Sequence, residues 1–476
     1  MPEYREVIPS PYGPAQLRDY AEDFRRAAHQ AVDWIADYLQ DARRYPVLPK
    51  IAPGELTDAL PQSAPEQGEP FPTLLRDFEE QILPAVTHWN HPRFMAYFAC
   101  TGSAPAIVAE MLAAALNTVG LHWQASPAVS ELEQVTLGWL RQWLGLPPEF
   151  FGIIFDTASI SSMHAIAAAR EMADPEARTN GSRANLVLYT SEQAHSSIEK
   201  GAIALGIGQK NVRKVPVDAE FRMRPDRLRH MAEADCAAGL RPFCVVATVG
   251  TTSTTSVDPV AEIAAIAEQY NLWLHVDAAY AGAAAILPEH RQILAGAERA
   301  HSLVTNPHKW LFTPSDLSAF YTRFPEILRR AFSLVPEYLR TPEHPRAVNL
   351  MDYGVPLGRR FRALKLWFVL RYFGRAGIQR LLRAHIAWAQ EFASWVEADR
   401  RFERAAPAPF STVCFRYRGS DQENQALLER INAGGQLFLS HTELHGRYVL
   451  RLAIGNLATA REDVQAAWEI IRSAIA

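Results

Sequence analysis

From about residue 104 to residue 330, short apolar runs rich in β-branched residues alternate with segments of helical period. This alternation restricts the chain to an α/β fold built on a mainly parallel sheet. Parallel neighbours cannot be joined by a tight hairpin, so each strand needs a crossover, which the helical segments supply. One unit is legible in full. Phe243 to Val249 reads as a buried strand, and Asp258 and Pro259 as an N-cap and first helical turn. The helix runs to about Tyr270, and Leu272 to Val276 forms the next strand.

At 476 residues the chain exceeds what one hydrophobic core supports, so smaller regions should flank the sheet. Leu17, Phe24, Ala28, Ala31, Ile35 and Tyr38 recur at helical steps and predict an amphipathic helix. Between Tyr45 and Pro72, Pro46, Pro49, Pro53, Pro61, Pro65, Pro70 and Pro72 remove backbone donors, which predicts an extended arm without regular structure. Past residue 364 come a long helix, strand-like Val413 to Tyr417, a turn at Gly434-Gly435, strand-like Tyr448 to Ile454 and a closing helix, a separate α+β region. The expected organisation is an N-terminal arm over 1–103, a large domain over 104–363 and a small domain over 364–476.

Lys and Arg number 48 against 52 Asp and Glu, a net charge of −4, which offers no basic surface to nucleic acid or to an anionic membrane. No run of about 18 apolar residues is present, and the first thirty residues lack a secretory pattern. Cys100, Cys236, Cys244 and Cys414 form no paired motif. The expectation is a soluble, cytoplasmic protein without a structural metal.

In open α/β sheets ligands collect at the carboxyl ends of strands. Three such ends carry polar groups: Leu186 to Tyr189 leads to Gln193-Ala194-His195-Ser196-Ser197, Leu272 to Val276 ends in Asp277-Ala278-Ala279-Tyr280, and Leu303 to Thr305 leads to Asn306-Pro307-His308-Lys309-Trp310. Singly, Asp277 reads as a helix cap, His195 as a satisfied loop histidine and Lys309 as a surface amine. Together, a lysine, a carboxylate and an imidazole at one sheet edge are what pyridoxal 5'-phosphate (PLP) requires. The lysine forms the imine, the carboxylate keeps the pyridine nitrogen protonated, and the imidazole lies flat on the ring.

The segments Asn306 to Trp310 and His275-Val276-Asp277-Ala278-Ala279-Tyr280-Ala281-Gly282 resemble the motifs of the aromatic-L-amino-acid decarboxylases, group II of the PLP-dependent decarboxylases. The resemblance extends in order through Trp89 to Pro92, Ala96 to Phe98, Ser126 to Ala128, Gln193 to Ser197, Ala247 to Thr252, Leu357 to Arg362 and Val449 to Leu452, from about residue 15 to the end. It implies the aspartate-aminotransferase-like fold (fold type I). It also implies Lys309 as the Schiff-base lysine, Asp277 as partner of the pyridine nitrogen, His195 and Ala279 on the two ring faces, and Thr248 close to the cofactor. Ala158, Ser159, Asn306 and His308 would hold the phosphate, Ala158 and Ser159 through free N–H groups at a helix start. Gly358 would reach the phosphate region of a neighbouring subunit, so the resemblance implies a homodimer with shared sites. The chain departs from the family's Gly-Ser-Ala-Ser type turn in having Asp156-Thr157-Ala158-Ser159, an acid beside the expected phosphate.

The resemblance also sets the expected reaction. Between Phe332 and Gly358 a segment poor in apolar repeats reads as a mobile loop. There Pro336-Glu337-Tyr338-Leu339-Arg340 matches the family's catalytic tyrosine, so Tyr338 is the expected proton donor to the substrate's Cα. Relatives that form aldehydes have phenylalanine in place of this tyrosine or asparagine in place of the stacking histidine. Retention of Tyr338 and His195 favours release of an amine, with aldehyde synthesis as the alternative. The matching side-chain pocket positions are Trp89, Tyr97, Phe98, Val119 and Leu121, an apolar wall suited to a flat ring and without a cation for a second carboxylate. Leu121 replaces a usual phenylalanine and Ala99-Cys100 a usual Pro-Thr pair, and tryptophan, phenylalanine, tyrosine and dihydroxyphenylalanine all remain open as substrates. His441 and His445 are expected in a connecting loop rather than on a metal, and Arg359, Arg360, Arg362 and Lys365 at a helix start.

Overall fold

The computed structural model describes residues 14–98, 100–182, 185–334 and 346–475. The chain divides into two compact units between His91 and Pro92. In the first, the predicted amphipathic helix spans Pro14–Gln40. Its Trp34 stacks on Tyr38 at 5.3 Å and meets Phe78 edge-on at 5.1 Å. The proline-bearing stretch is not wholly irregular as expected. A short helix, Glu55–Ala59, fits between Pro53 and Pro61, and another, Phe71–Asp77, places Pro72 in its first turn, where a missing N–H costs nothing.

The second unit holds two sheets. The larger comprises β1 (Phe151–Phe155), β2 (Leu186–Ser191), β3 (Val212–Val215), β4 (Arg241–Thr248), β5 (Trp273–Asp277), β6 (Ser302–Thr305) and β7 (Ser318–Thr322). Their order is β1-β7-β6-β5-β4-β2-β3. Only β7 runs against the rest, pairing antiparallel with both neighbours, so this is the mainly parallel α/β sheet expected. β2, β5 and β6 are buried along their whole length, which is why they read as continuous apolar runs rather than alternating ones.

The smaller sheet contains β8 (Phe402–Arg404), β9 (Thr412–Tyr417), β10 (Ser440–Leu444) and β11 (Arg447–Ala453) in the antiparallel order β10-β11-β9-β8. Phe392, Phe415, Leu427, Leu450, Leu452 and Trp468 build its core. The long helix preceding it, Arg362–Ala398, breaks at Gly374, whose φ of +60° leaves the helical region.

Three local expectations change. Asp258 does not cap the helix Val260–Gln269; its carboxylate accepts the backbone N–H of Met223 at 2.7 Å and of Thr248 at 2.8 Å. These donors come from other segments, which no local pattern announces. His441 lies in β10 rather than in a loop, stacked on Tyr448 at 4.8 Å, and His445 forms the hairpin turn with φ +52°. The segment expected as a mobile loop includes a short helix, Leu350–Tyr353, with Leu350 and Met351 buried. The four cations expected at a helix start each meet a carboxylate. Arg359 pairs with Glu133 at 2.8 Å, Arg360 and Lys365 with Glu110 at 3.3 and 2.5 Å, and Arg362 with Asp316 at 2.9 Å.

Candidate active site

Because β4, β5 and β6 run in one direction, their carboxyl ends share an edge. Thr248 pairs across to Asp277, and Asp277 to Val304. The chain then tightens: Asn306 N–H donates to Ala279 O at 2.9 Å, and Lys309 N–H to Asn306 O at 2.9 Å, in the single helical turn Pro307–Trp310. Glycine is needed at 282, since a Cβ there would lie 2.7 Å from Thr305 Oγ1. His308 is fixed by Leu317 N–H, which donates to its Nδ1 at 2.8 Å, and burial pulls its imidazole down to about 4. That ring is therefore neutral near pH 7.

Lys309 extends its amine to 5.0 Å from the centroid of Phe98. Burial lowers its hold on a proton, and the charge of Asp277 opposes that shift. The result is an amine closer to the neutral, nucleophilic form. Asp277 is buried and accepts the N–H of Ala279 at 3.1 Å. His195 follows β2, and its Nδ1 accepts Ser197 N–H at 3.2 Å and lies 2.8 Å from Ser197 Oγ. Burial, then Lys309, lowers its pKa, so this imidazole too favours the neutral form.

After β1, Thr157 caps the helix Ala158–Ala173, its hydroxyl accepting Ile160 N–H at 3.4 Å. Asp156 turns its carboxylate back onto Thr157, accepting its N–H at 2.5 Å and its hydroxyl at 3.1 Å. The unexpected acid is thereby engaged within its own turn. Ala158 packs with Ala279 and Val304, which brings the helix start, with the N–H groups of Ala158 and Ser159, to the ends of β5 and β6. Thr248 Oγ1, Thr305 Oγ1 and Asn306 Oδ1 are buried without a partner among the described residues. An amine, a carboxylate, unused hydroxyls and a helix N-terminus suit a ligand with an electrophilic carbonyl, a basic ring nitrogen and an anionic group, and PLP is such a ligand.

A second group forms elsewhere in this unit. Gly120 and Arg359 exchange backbone hydrogen bonds at 2.8 and 3.0 Å, and a Cβ on Gly358 would lie 3.2 Å from Val119 and 4.0 Å from Leu121. Trp89 belongs to the first unit, while Tyr97 and Phe98 belong to the second. Tyr338 lies outside the described residues.

Two further residues at this edge had no expected role. Cys100 feels Lys309: burial raises its thiol pKa and the lysine charge opposes the rise. Arg451 is buried with its guanidinium carbon 4.4 Å from the Phe98 centroid. An arginine inside the apolar run of β11 was the available signal. Phe98 itself stacks on Tyr280 at 3.9 Å, and Tyr280 on Trp310 at 4.9 Å, so the residue after Lys309 joins the same aromatic column.

Residues 53–418 match the pyridoxal-dependent decarboxylase conserved domain. The chain is 43% identical to the tryptophan decarboxylase TDC2 of Camptotheca acuminata, over 95% of this chain and 94% of the relative. To the aromatic-L-amino-acid decarboxylase of Rattus norvegicus it is 42% identical, over 95% and 97%. The Oryza sativa TDC solved with PLP and tryptamine superposes with a TM-score of 0.93 at 38% identity, covering 98% of this chain and 99% of that one. A sheet edge with this polar set, matched over nearly the whole chain, places the protein in the pyridoxal-dependent decarboxylase family.

Proposed function

We propose that this protein removes carbon dioxide from an aromatic L-amino acid and releases the corresponding arylalkylamine, using PLP held by Lys309. The observation that carries the reading is the half-buried Lys309, its amine desolvated enough to lower its pKa, at the same sheet edge as the buried Asp277 carboxylate. When bound, PLP supplies an electron sink for the pair left on Cα as the carboxylate departs. Lys309 would hold its aldehyde carbon and Asp277 its ring nitrogen. His195 and Ala279 would face the ring, and Thr248 would lend its unused hydroxyl. Ala158 and Ser159 N–H groups, Asn306 and His308 would hold the phosphate. Tyr338 would return a proton to Cα and so decide for amine over aldehyde; the support is its motif, Pro336 to Arg340.

Tyr97 and Phe98 would form part of the wall for the substrate ring, with Val119 and Leu121 assigned to it by their match to the family's pocket positions. A homodimer with shared sites suits the face around Gly358, where Val119, Val355 and Leu357 are 48%, 67% and 44% exposed. No helix among the described residues is long and apolar enough to cross a membrane, which agrees with a soluble, cytoplasmic enzyme.

Screening the common amino acids for carbon dioxide release, with borohydride trapping of the cofactor on Lys309, tests the reading. Release from aromatic substrates alone and an adduct on Lys309 are expected. No adduct, or release only from acidic amino acids, overturns it. Tyr338→Phe should divert product toward aldehyde, ammonia and peroxide; amine as sole product removes Tyr338 from its role.

A further inference from the structure

Tyr97 occupies the left-handed region at φ +52°, an unfavourable conformation for an aromatic residue that the surrounding structure must hold in place. Both of its backbone polar groups are gripped from the small sheet. Its N–H donates to Ser440 Oγ at 3.3 Å, and Arg451 Nη1 donates to its carbonyl at 2.5 Å. Ser440 and Arg451 face each other across β10 and β11, so one cross-strand pair holds one peptide unit at both ends.

Arg451 does more than one bond requires. Its Nε donates to Ser253 O at 3.1 Å, and its guanidinium lies by Phe98, whose ring is also 5.0 Å from the Lys309 amine. It is 4% exposed, pairs with no carboxylate among the described residues, and leaves Nη2 without a partner there. A buried cation without a counter-charge is costly, so packing alone does not account for it. Two carbonyls and a ring served by one side chain need the planar fork of arginine, which lysine lacks.

We infer that Arg451 and Ser440 are positioning residues for substrate selection, setting the Tyr97–Phe98 turn beside Lys309 and thereby the ring size that the site accepts. The inference rests on the aromatic-amino-acid reading above. Neither residue touches the reacting atoms; each acts through the turn.

The test uses the holoenzyme and three variants, Ser440→Ala, Arg451→Lys and Arg451→Gln. Hydrogen exchange at the Tyr97 amide reads the grip directly and needs no turnover: exchange should quicken in Ser440→Ala and Arg451→Gln. Steady-state kinetics with tryptophan and phenylalanine read selection. Loss of a charge-assisted bond in Arg451→Gln should raise KM by roughly ten- to a hundredfold and change the ratio of the two kcat/KM values, with kcat less affected. Ser440→Ala, losing one neutral bond, should show a shift of roughly two- to tenfold. Arg451→Lys keeps the charge but not the fork, so it should retain the pH midpoint of the visible PLP absorbance and still lose ring discrimination. Unchanged exchange at Tyr97, or a wild-type tryptophan-to-phenylalanine ratio in all three variants, overturns the inference even if their melting temperatures fall. If the unmodified enzyme releases nothing from aromatic amino acids while exchange at Tyr97 responds, the substrate reading falls and the grip stands.

Discussion

Asparagine is used in opposite ways in the two sheets of the second unit. Beside the four-stranded sheet, Asn424 accepts Tyr417 N–H at 2.8 Å and donates to Tyr417 O at 3.0 Å and Ser420 O at 2.9 Å. Asn432 brackets Leu439 in the same manner, at 3.0 and 3.1 Å. At the edge of the seven-stranded sheet, Asn306 is buried as well, yet its side-chain oxygen has no partner among the described residues, and the hydroxyls of Thr248 and Thr305 share that condition. A fully used amide fastens a fold. One left with spare capacity opposes folding and is retained for what it binds.

The largest way to break this contrast is Lys309→Ala. Carbon dioxide release should fall by at least about a thousandfold, as for removal of other covalent catalytic groups. The melting temperature of the cofactor-free protein should hold or rise slightly, because a partly desolvated amine is gone. A clear drop would make the edge structural after all.

Acid sharpens the contrast next. Burial pulls His275 down to about 4 and His308 likewise, both beside the large sheet, whereas His441 and His445 on the small one are exposed. The unfolded chain binds a proton on these rings at a pH where the folded chain does not. Their stabilisation is complete above the ordinary imidazole value of 6.5 and is lost as pH falls toward 4, at most about 3 kcal/mol per ring. Denaturant unfolding at pH 7 and pH 5 measures it. His275→Gln should remove that ring's share of the difference, and an unchanged slope would move its part of the acid sensitivity elsewhere.

The smallest effects compare the amides directly. Asn424→Ala should cost about 2 kcal/mol by stranding buried backbone groups. Asn306→Ala should change unfolding by less than about 0.5 kcal/mol, since no bond of its side-chain oxygen is lost, and should weaken PLP binding instead. Equal losses in both variants would erase the distinction.

Strand ends explain what was legible in advance. Asp277, Lys309 and the crossover from β4 to β5 follow from local patterns: a buried run, a polar stop, a helical period. What escaped reading depends on contacts between remote segments. Asp258 looks like a helix cap until Met223 and Thr248 are seen to claim it, and burial then raises its carboxyl to about 7. Cys100 takes its meaning from Lys309, and Arg451 from Phe98, remote groups that only the folded chain brings near. Phe98, read as substrate wall, also stacks in the core on Tyr280, a packing that its position alone did not specify.

The grip on Tyr97 has a consequence for how the molecule matures. Its two clasping side chains leave the ribosome 343 and 354 residues after it, so this corner cannot set until β10 and β11 have been made. A nascent chain that has released β1 to β7 already owns its lysine and its acid but not the corner that would, on the inference above, select among rings. The groups proposed to hold the cofactor would thus be made before the strand pair proposed to set discrimination.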